Sequence, residues 1–144
     1  MIDMLALSAT KVRSEWSSVV DEVVRNRPCF IKRTRDYMLL SDTEFIEQLL
    51  EGYGFTASEY AEDDGSVVLS LNEIDLMATG KDREDAVKNL AEEILEYACE
   101  YYDEFQLWHS AQNRKGHLPY VFKALILGDA TKIGELIKCQ AGRN

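Results

Sequence analysis

The side chains best placed for chemistry are a group of basic residues in the first quarter of the chain. Five of them fall within eleven residues and one lies upstream: Arg25, Arg27, Lys32, Arg33 and Arg35, with Arg13 before them. Such groups bind phosphate oxygens, and arginine also reaches guanine edges in a DNA groove. An ordinary charged surface, with Arg13 paired to Glu15 or Asp21, explains them equally well. The spacing leaves both interpretations open, and the first predicts a nucleic-acid interface.

The sequence carries no pattern typical of an enzyme. It has no phosphate-binding glycine loop, no GxSxG nucleophile motif and no HExxH zinc motif. His109 and His117 have no matching carboxylate or cysteine arrangement beside them. Cys29, Cys99 and Cys139 are far apart and show no metal-ligand spacing. The sequence therefore predicts no catalysis, no cofactor and no metal site.

The net charge of −10 over 144 residues is unevenly distributed. Residues 1–50 carry seven basic and eight acidic side chains, residues 51–108 carry three and sixteen, and residues 109–144 carry six and two. The overall field repels nucleic acid, so any contact with DNA must come from a local basic patch. The acidic middle segment instead suits a basic protein partner.

Composition also bears on where the protein works. No stretch approaches the ~18 apolar residues of a membrane span, and the N-terminus lacks the features of a signal peptide. The odd number of cysteines argues against a disulfide framework and favours reduced thiols. We therefore expect a cytoplasmic protein without membrane contact.

The elements that must position the basic residues lie in residues 1–53. A short apolar run at residues 4–7 predicts a strand. Apolar side chains, Trp16 among them, then recur every three or four positions from residue 11 to 26, which predicts one helix with a buried face. Pro28 ends this helix, and two apolar runs around residues 34–36 predict a hairpin. A capping box at residues 41–44 begins a second helix.

Residues 54–108 predict three short strands and one long helix. The strands are expected near residues 55–62, 67–71 and 75–79. Asp82 is expected to cap the helix, whose apolar spacing continues to Phe105. After a polar link, residues 109–144 predict two short helices, over 118–127 and 129–138, and a frayed end over 140–144.

The first segment resembles the Phd/YefM antitoxin family. Five short motifs carry the resemblance in order: LSATKVR at 7–13, VVDEV at 19–23, PCFIKR at 28–33, MLLS at 38–41 and EF at 44–45. It implies a dimeric α+β protein whose N-terminal domains bind operator DNA and whose C-terminal part binds a toxin. The DNA-binding arginines of the family correspond to Arg13 and Arg33. Val12 and Lys32 depart from the usual Ala and Thr, and the hairpin is shorter and lacks Asn-Gly.

The second segment is similar to the HicB-like antitoxin module. The stretches DGSVVLSL at 64–71 and MATGKDREDA at 77–86 carry this resemblance, with Asp82 where threonine usually caps the helix. The module is a small β-β-β-α layer used for dimerisation or toxin contact. The resemblance implies a binding role for residues 54–108.

These observations give one hypothesis for the whole chain. It is an α+β protein with a Phd/YefM-like β-α-β-β-α domain at 1–53 for DNA binding and dimerisation, an acidic HicB-like module at 54–108 and a helical tail at 109–144. As a dimer it would repress its own operon and neutralise a toxin, which we expect to be of the RelE type. The tail offers apolar residues for the toxin: Leu118, Phe122, Leu125, Ile133 and Leu136.

Two alternatives remain open. The helices of residues 109–144 could pack on their own domain instead of on a toxin. The chain could also be a transcriptional repressor without a toxin, or a protein-interaction module that has lost DNA binding.

Overall fold

The first part of the chain combines short helices with a three-stranded sheet. In the computed structural model, which describes residues 1–142, its elements are α1 (Ile2–Leu5), β1 (Leu7–Ser8), α2 (Ala9–Ser14), α3 (Trp16–Arg25), β2 (Cys29–Arg33), β3 (Asp36–Leu40) and α4 (Thr43–Leu49). The sheet order is β1-β2-β3, with β1 parallel and β3 antiparallel to β2. Val12, Val19, Val23 and Ile31 form the buried core.

Two predictions for the N-terminal elements were wrong in part. Residues 4 and 5 belong to α1, and only Leu7 and Ser8 pair with β2. The helix expected over residues 11–26 is divided between α2 and α3 at Glu15, which leaves helical geometry (φ −119°, ψ 34°). The hydroxyl of Ser14 donates to the carbonyl oxygen of Lys11 at 3.0 Å, a local bond that bends helices.

The predicted hairpin is confirmed. β2 and β3 pair in the register that places Ile31 opposite Met38. Thr34 begins the turn with φ 58°, the left-handed region that β-branched residues rarely adopt. The next helix, α4, is also confirmed, with Asp42 accepting a bond from the amide of Phe45 at 2.9 Å.

The second part of the chain places one long helix against a four-stranded sheet. Its elements are β4 (Phe55–Ala61), β5 (Val67–Leu71), β6 (Met77–Gly80), α5 (Arg83–Asp103), α6 (Phe105–Ser110), a 3-10 helix (Lys115–His117), α7 (Leu118–Leu127), α8 (Ala130–Leu136) and β7 (Ile137–Ala141). The sheet order is β6-β5-β4-β7. Strands β4, β5 and β6 are antiparallel neighbours, and β7 is parallel to β4.

The step from β6 into α5 is the most constrained point of this sheet. Asp82 caps α5 by accepting from the amide of Asp85 at 2.8 Å, as predicted, and Asp85 accepts in return from the amide of Lys81 at 3.0 Å. Gly80 lies so close to the helix that a Cβ there would be 2.2 Å from the nitrogen of Ala86. Glycine is therefore required where the strand meets the first turn of α5.

The end of the chain differs from the expectation. The helix expected over residues 129–138 ends at Leu136, and Ile137–Ala141 form β7 where fraying was expected from residue 140. Residues 143 and 144 of that expected frayed end lie outside the described residues. β7 forms because Ile137 pairs with Phe55 and Cys139 with Ala57, which places two apolar side chains toward the core.

The chain divides into two compact units, residues 1–49 and residues from Leu50 onward. Fifteen of the nineteen buried apolar side chains belong to the second unit and four to the first. The second unit contains both the predicted middle segment and the predicted tail, because α7 and α8 pack on α5. Within residues 1–142, no helix combines the length and apolar character needed to cross a membrane.

Candidate nucleic-acid interface and partner surface

Arg13 lies at the rim of an apolar groove in the first unit. The groove is lined by the two helices and the hairpin: Ala9, Val12, Arg13, Trp16, Ile31 and Met38. Trp16 is 54% exposed although its spacing predicted a buried position, and Met38 is 47% exposed. The groove therefore places the unpaired guanidinium group of Arg13 beside apolar side chains that are exposed in this chain.

The other predicted arginines are unpaired or only weakly paired. Arg33 is two positions after Ile31 on β2, so its side chain leaves the strand on the same face as Ile31. It lies 3.6 Å from Asp36, and Arg27 lies 3.8 Å from Glu22, in pairs that are largely exposed. Among residues 1–142, Arg13, Arg25 and Arg35 have no carboxylate within 4 Å. Exposed pairs are weak, so these five arginines can bind an anion at little cost.

Lys32 differs from the arginines because its ammonium group already forms a close ion pair within this chain. Its ammonium donates to Asp3 at 2.8 Å, and the ring of Tyr37 lies 5.3 Å from the nitrogen. Tyr37 also donates to Asp3. The hydrogen bond from Lys32 lowers the pKa of Asp3, and the same bond raises the pKa of Lys32. Lys32 points away from the face of Ile31 and is the predicted cation least free to bind phosphate.

No sequence pattern predicted the role of Asp3. Its nearest partners, Lys32 and Tyr37, are 29 and 34 positions away along the chain. Only the pairing of β2 with β3 places Lys32 beside Tyr37, and only α1 brings Asp3 to them.

The five apolar residues predicted to bind a toxin lie in α7 and α8 of the second unit. Leu118, Phe122 and Leu125 are half-buried and pack against the core of this unit, and Leu136 is 41% exposed. Ile133 is fully buried. A partner could therefore reach Leu136 and part of Phe122 directly, but it could reach Ile133 only if α8 left the core.

His117 and the backbone of Arg114 attach the polar link to α5. The hydroxyl of Tyr97 lies 2.7 Å from Nδ1 of His117, and the hydroxyl of Tyr101 donates to the carbonyl oxygen of Arg114 at 3.1 Å. Burial raises the pKa of Tyr97 and lowers the pKa of His117. His117 is thus favoured as a neutral acceptor of the Tyr97 hydroxyl, and this geometry ties the two segments together.

The ligand side chains of residues 1–142 do not form a metal site. Within the described part of the chain, no three His, Cys, Asp or Glu residues come together as metal ligands. The three cysteines are free thiols, of which Cys99 is exposed.

Comparisons with known proteins bear on this arrangement. Residues 3–139 match the model of a PHD-like family described as "Antitoxin of toxin-antitoxin, RelE / RelB, TA system". No curated protein matches the chain.

A solved structure is similar to the chain over nearly its whole length. It is the crystal structure of an antitoxin part of a proposed toxin/antitoxin system from Syntrophomonas wolfei subsp. wolfei. The two chains are 32% identical, the alignment covers 94% of this chain and 98% of that one, and the TM-score is 0.89. The mixed α+β fold described above is therefore shared with an antitoxin.

Proposed function

Because the chain belongs to the PHD-like family of antitoxins of RelE/RelB toxin–antitoxin systems, we propose that it neutralises a cognate toxin by direct binding and represses its own operon as a DNA-binding dimer. The family role is regulatory and not enzymatic, in agreement with the sequence, which predicts no catalysis. The match over residues 3–139 is the observation that carries the proposal, because it includes both compact units.

Dimerisation is proposed for the first unit. Ten of the fifteen exposed large apolar side chains lie in its 49 residues, which bury only four apolar side chains. A domain this small rarely has enough core to fold alone. A second copy that covers Trp16 and Met38 in the groove would supply the missing apolar contact. This arrangement agrees with the resemblance of residues 1–53 to Phd/YefM antitoxins.

DNA binding is proposed for the arginines of the same unit. Arg13 and Arg33, the positions that correspond to family arginines, are exposed, and Arg25, Arg27 and Arg35 add cations that are free or only weakly paired. A dimer would present this set twice, as a two-fold symmetric operator requires. Since the whole chain is acidic, specific contacts by these arginines must overcome a repulsive field.

Toxin binding is proposed for the second unit. It contains the segment similar to HicB, residues 54–108, and the helices of residues 109–144. The glycine-to-helix step at Gly80 and Asp82 is the feature that best supports the likeness to HicB. A RelE-type toxin cleaves RNA and must carry basic surface for it, which suits a unit whose residues 51–108 have sixteen acidic and three basic side chains.

Co-expression with the neighbouring gene tests the proposal. The chain is expressed with the product of the small gene adjoining its own, and the mixture is purified through a tag on this chain. We expect a stoichiometric complex and rescue of growth from the toxicity of that product. No complex, together with retained binding to its own upstream DNA, would instead favour a repressor without a toxin.

The DNA proposal has its own test. We expect Arg13→Ala and Arg33→Ala each to weaken binding to the upstream DNA by about tenfold, because each removes a charge-assisted contact of about 1–3 kcal/mol. Fluorescence anisotropy at two salt concentrations measures the effect, and Lys32→Ala is the matched control because Asp3 already holds that charge. Wild-type affinity in both arginine variants would refute the assignment.

A further inference from the structure

One exposed aromatic side chain in the second unit packs against aromatic residues that lead into the core. Tyr102 on α5 is 57% exposed, and its ring lies edge-on to Phe122 at 6.3 Å. Phe122 packs on Phe105 at 6.2 Å, and Phe105 packs on the fully buried Tyr101 at 5.8 Å. Because Tyr102 already packs against Phe122, a partner that covers it would cost little side-chain conformational entropy. A low entropic cost is typical of an anchor residue in an interface.

Tyr102 and Cys99 belong to a part of α5 that other elements of the second unit leave mostly exposed. Leu95, Cys99 and Tyr102 follow the i, i+4, i+7 spacing of one helical stripe, and Cys99 and Tyr102 are exposed. The core residues of α5, such as Leu90, Ile94 and Ala98, fall on the other side of the helix. Leu95 packs against the core, so the exposed part of the stripe is the pair Cys99 and Tyr102.

Carboxylates lie beside this stripe on one side and continue around the exposed surface of α5. Six exposed acidic residues follow in the C-terminal half of α5 and at its end: Glu92, Glu93, Glu96, Glu100, Asp103 and Glu104. Over these twelve or so residues α5 extends for about 18 Å. Among the described residues, none of the six has a cation within 4 Å. Their charges are thus available to a partner.

The charges decide which partner fits this face. A nucleic acid is repelled by six carboxylates. A second copy, related by two-fold symmetry, would bring like carboxylates together and is disfavoured for the same reason. A protein with a basic surface and an apolar recess fits this face, because the carboxylates attract the basic surface and the recess accepts the ring of Tyr102.

We propose that the exposed surface of α5, formed by Cys99, Tyr102 and the six carboxylates, is the docking surface for a basic protein, the cognate toxin. This inference rests on the proposed function and adds the surface that performs it. It differs from the sequence-based expectation of α7 and α8 as toxin contacts, because here α7 supports Tyr102 through Phe122 and does not itself bind the toxin. The carboxylates steer the basic partner, and Tyr102 anchors it.

Charge reversal on this face is the sharpest test. Glu96→Lys/Glu100→Lys is compared with Glu62→Lys/Asp63→Lys, a control with the same change of charge in the exposed turn after β4. The affinity of each full-length variant for the protein encoded by the adjoining gene is measured by titration calorimetry. We expect the α5 variant to lose at least about a hundredfold in affinity and the control less than about threefold. Equal losses would mean that only net charge matters and would overturn the proposal.

Tyr102→Ala tests the anchor separately from the charges. We expect about tenfold weaker binding with a melting temperature close to that of the wild type, because Tyr102 is already 57% exposed. Wild-type affinity in both Tyr102→Ala and the α5 charge variant, with a wild-type complex present, overturns the docking face but leaves the proposed function intact. If the wild type itself forms no complex, the proposed function and this inference fail together. A changed oligomeric state of the free variants would instead identify the face as a contact between copies.

Discussion

At the scale of single residues, the second unit depends on one position where only glycine fits. A Cβ at Gly80 would lie 2.2 Å from the nitrogen and 2.7 Å from the Cα of Ala86. Both atoms are backbone in the first turn of α5, so no side-chain rotation relieves the contact. The close approach of β6 to α5, which places Ala86 in the core, is possible because residue 80 has no side chain.

We therefore expect Gly80→Ala to lower the free energy of unfolding by about 2 to 3 kcal/mol, as overpacking at fixed backbone does. Gly116→Ala is the control, because a Cβ there meets nothing within 4 Å. Urea unfolding followed by circular dichroism measures both variants. Equal stability of the two would show that α5 shifts freely and that the constraint is absent.

At the scale of elements, the 3-10 helix Lys115–His117 is fastened to α5 by a pair that depends on protonation. Nδ1 of His117 lies 2.7 Å from the hydroxyl of Tyr97, and the guanidinium of Arg114 lies 4.1 Å from the ring centre of Trp108. Burial lowers the pKa of His117; Asp75 raises it and Arg114 lowers it. The pair thus favours neutral His117 in the folded chain.

The stability of this contact should fall with acidification. Because the folded pKa of His117 lies below its unfolded value of about 6.5, the contribution is complete above pH 6.5 and is lost as the pH falls toward and through the folded pKa. Denaturant unfolding at pH 7.5, 6.5 and 5.5 measures this decline. His117→Gln keeps an acceptor for Tyr97 but does not titrate, so its stability should change less over the same range. Identical pH profiles would assign the decline to other groups.

At the scale of the whole molecule, the two units differ in how completely they bury their apolar residues. The second unit contains fifteen of the nineteen buried apolar side chains. The first unit contains ten of the fifteen large apolar side chains that are exposed. Hydrophobic burial is the main source of folding free energy, so the second unit has the larger share. The first unit has apolar surface that a second copy can cover.

We expect the fragment 50–144 to unfold cooperatively as a separate domain, whereas the fragment 1–49 should gain structure only as its concentration rises. Circular dichroism across a hundredfold range of concentration, with sedimentation equilibrium at each end, distinguishes the two cases. A fragment 1–49 that is folded and monomeric at the lowest concentration would contradict the proposed need for a second copy.

Local patterns in the sequence determined most of the elements. The β2–β3 hairpin, α4, the strands β4 and β5, the long α5 and α7 were expected from spacing, turn residues and caps, because each depends on residues close together in the chain. The cap of α5 by Asp82 and the association with antitoxins also came from short motifs. Each of those motifs also consists of residues that lie close together in the chain.

Tertiary structure alone decided the features that join distant residues. β7 is a strand because Ile137 meets Phe55, which lies more than eighty positions earlier, and no local pattern encodes a parallel pairing of that kind. Asp3 binds Lys32 and Tyr37 only after the hairpin has formed. Ile133 lies in the core and Tyr102 at the surface, although both are apolar residues at helical spacing, because packing between helices determines which face of each is covered. Sequence thus determined the elements and the class of protein, and the contacts between elements decided which of its residues remain free to bind a partner.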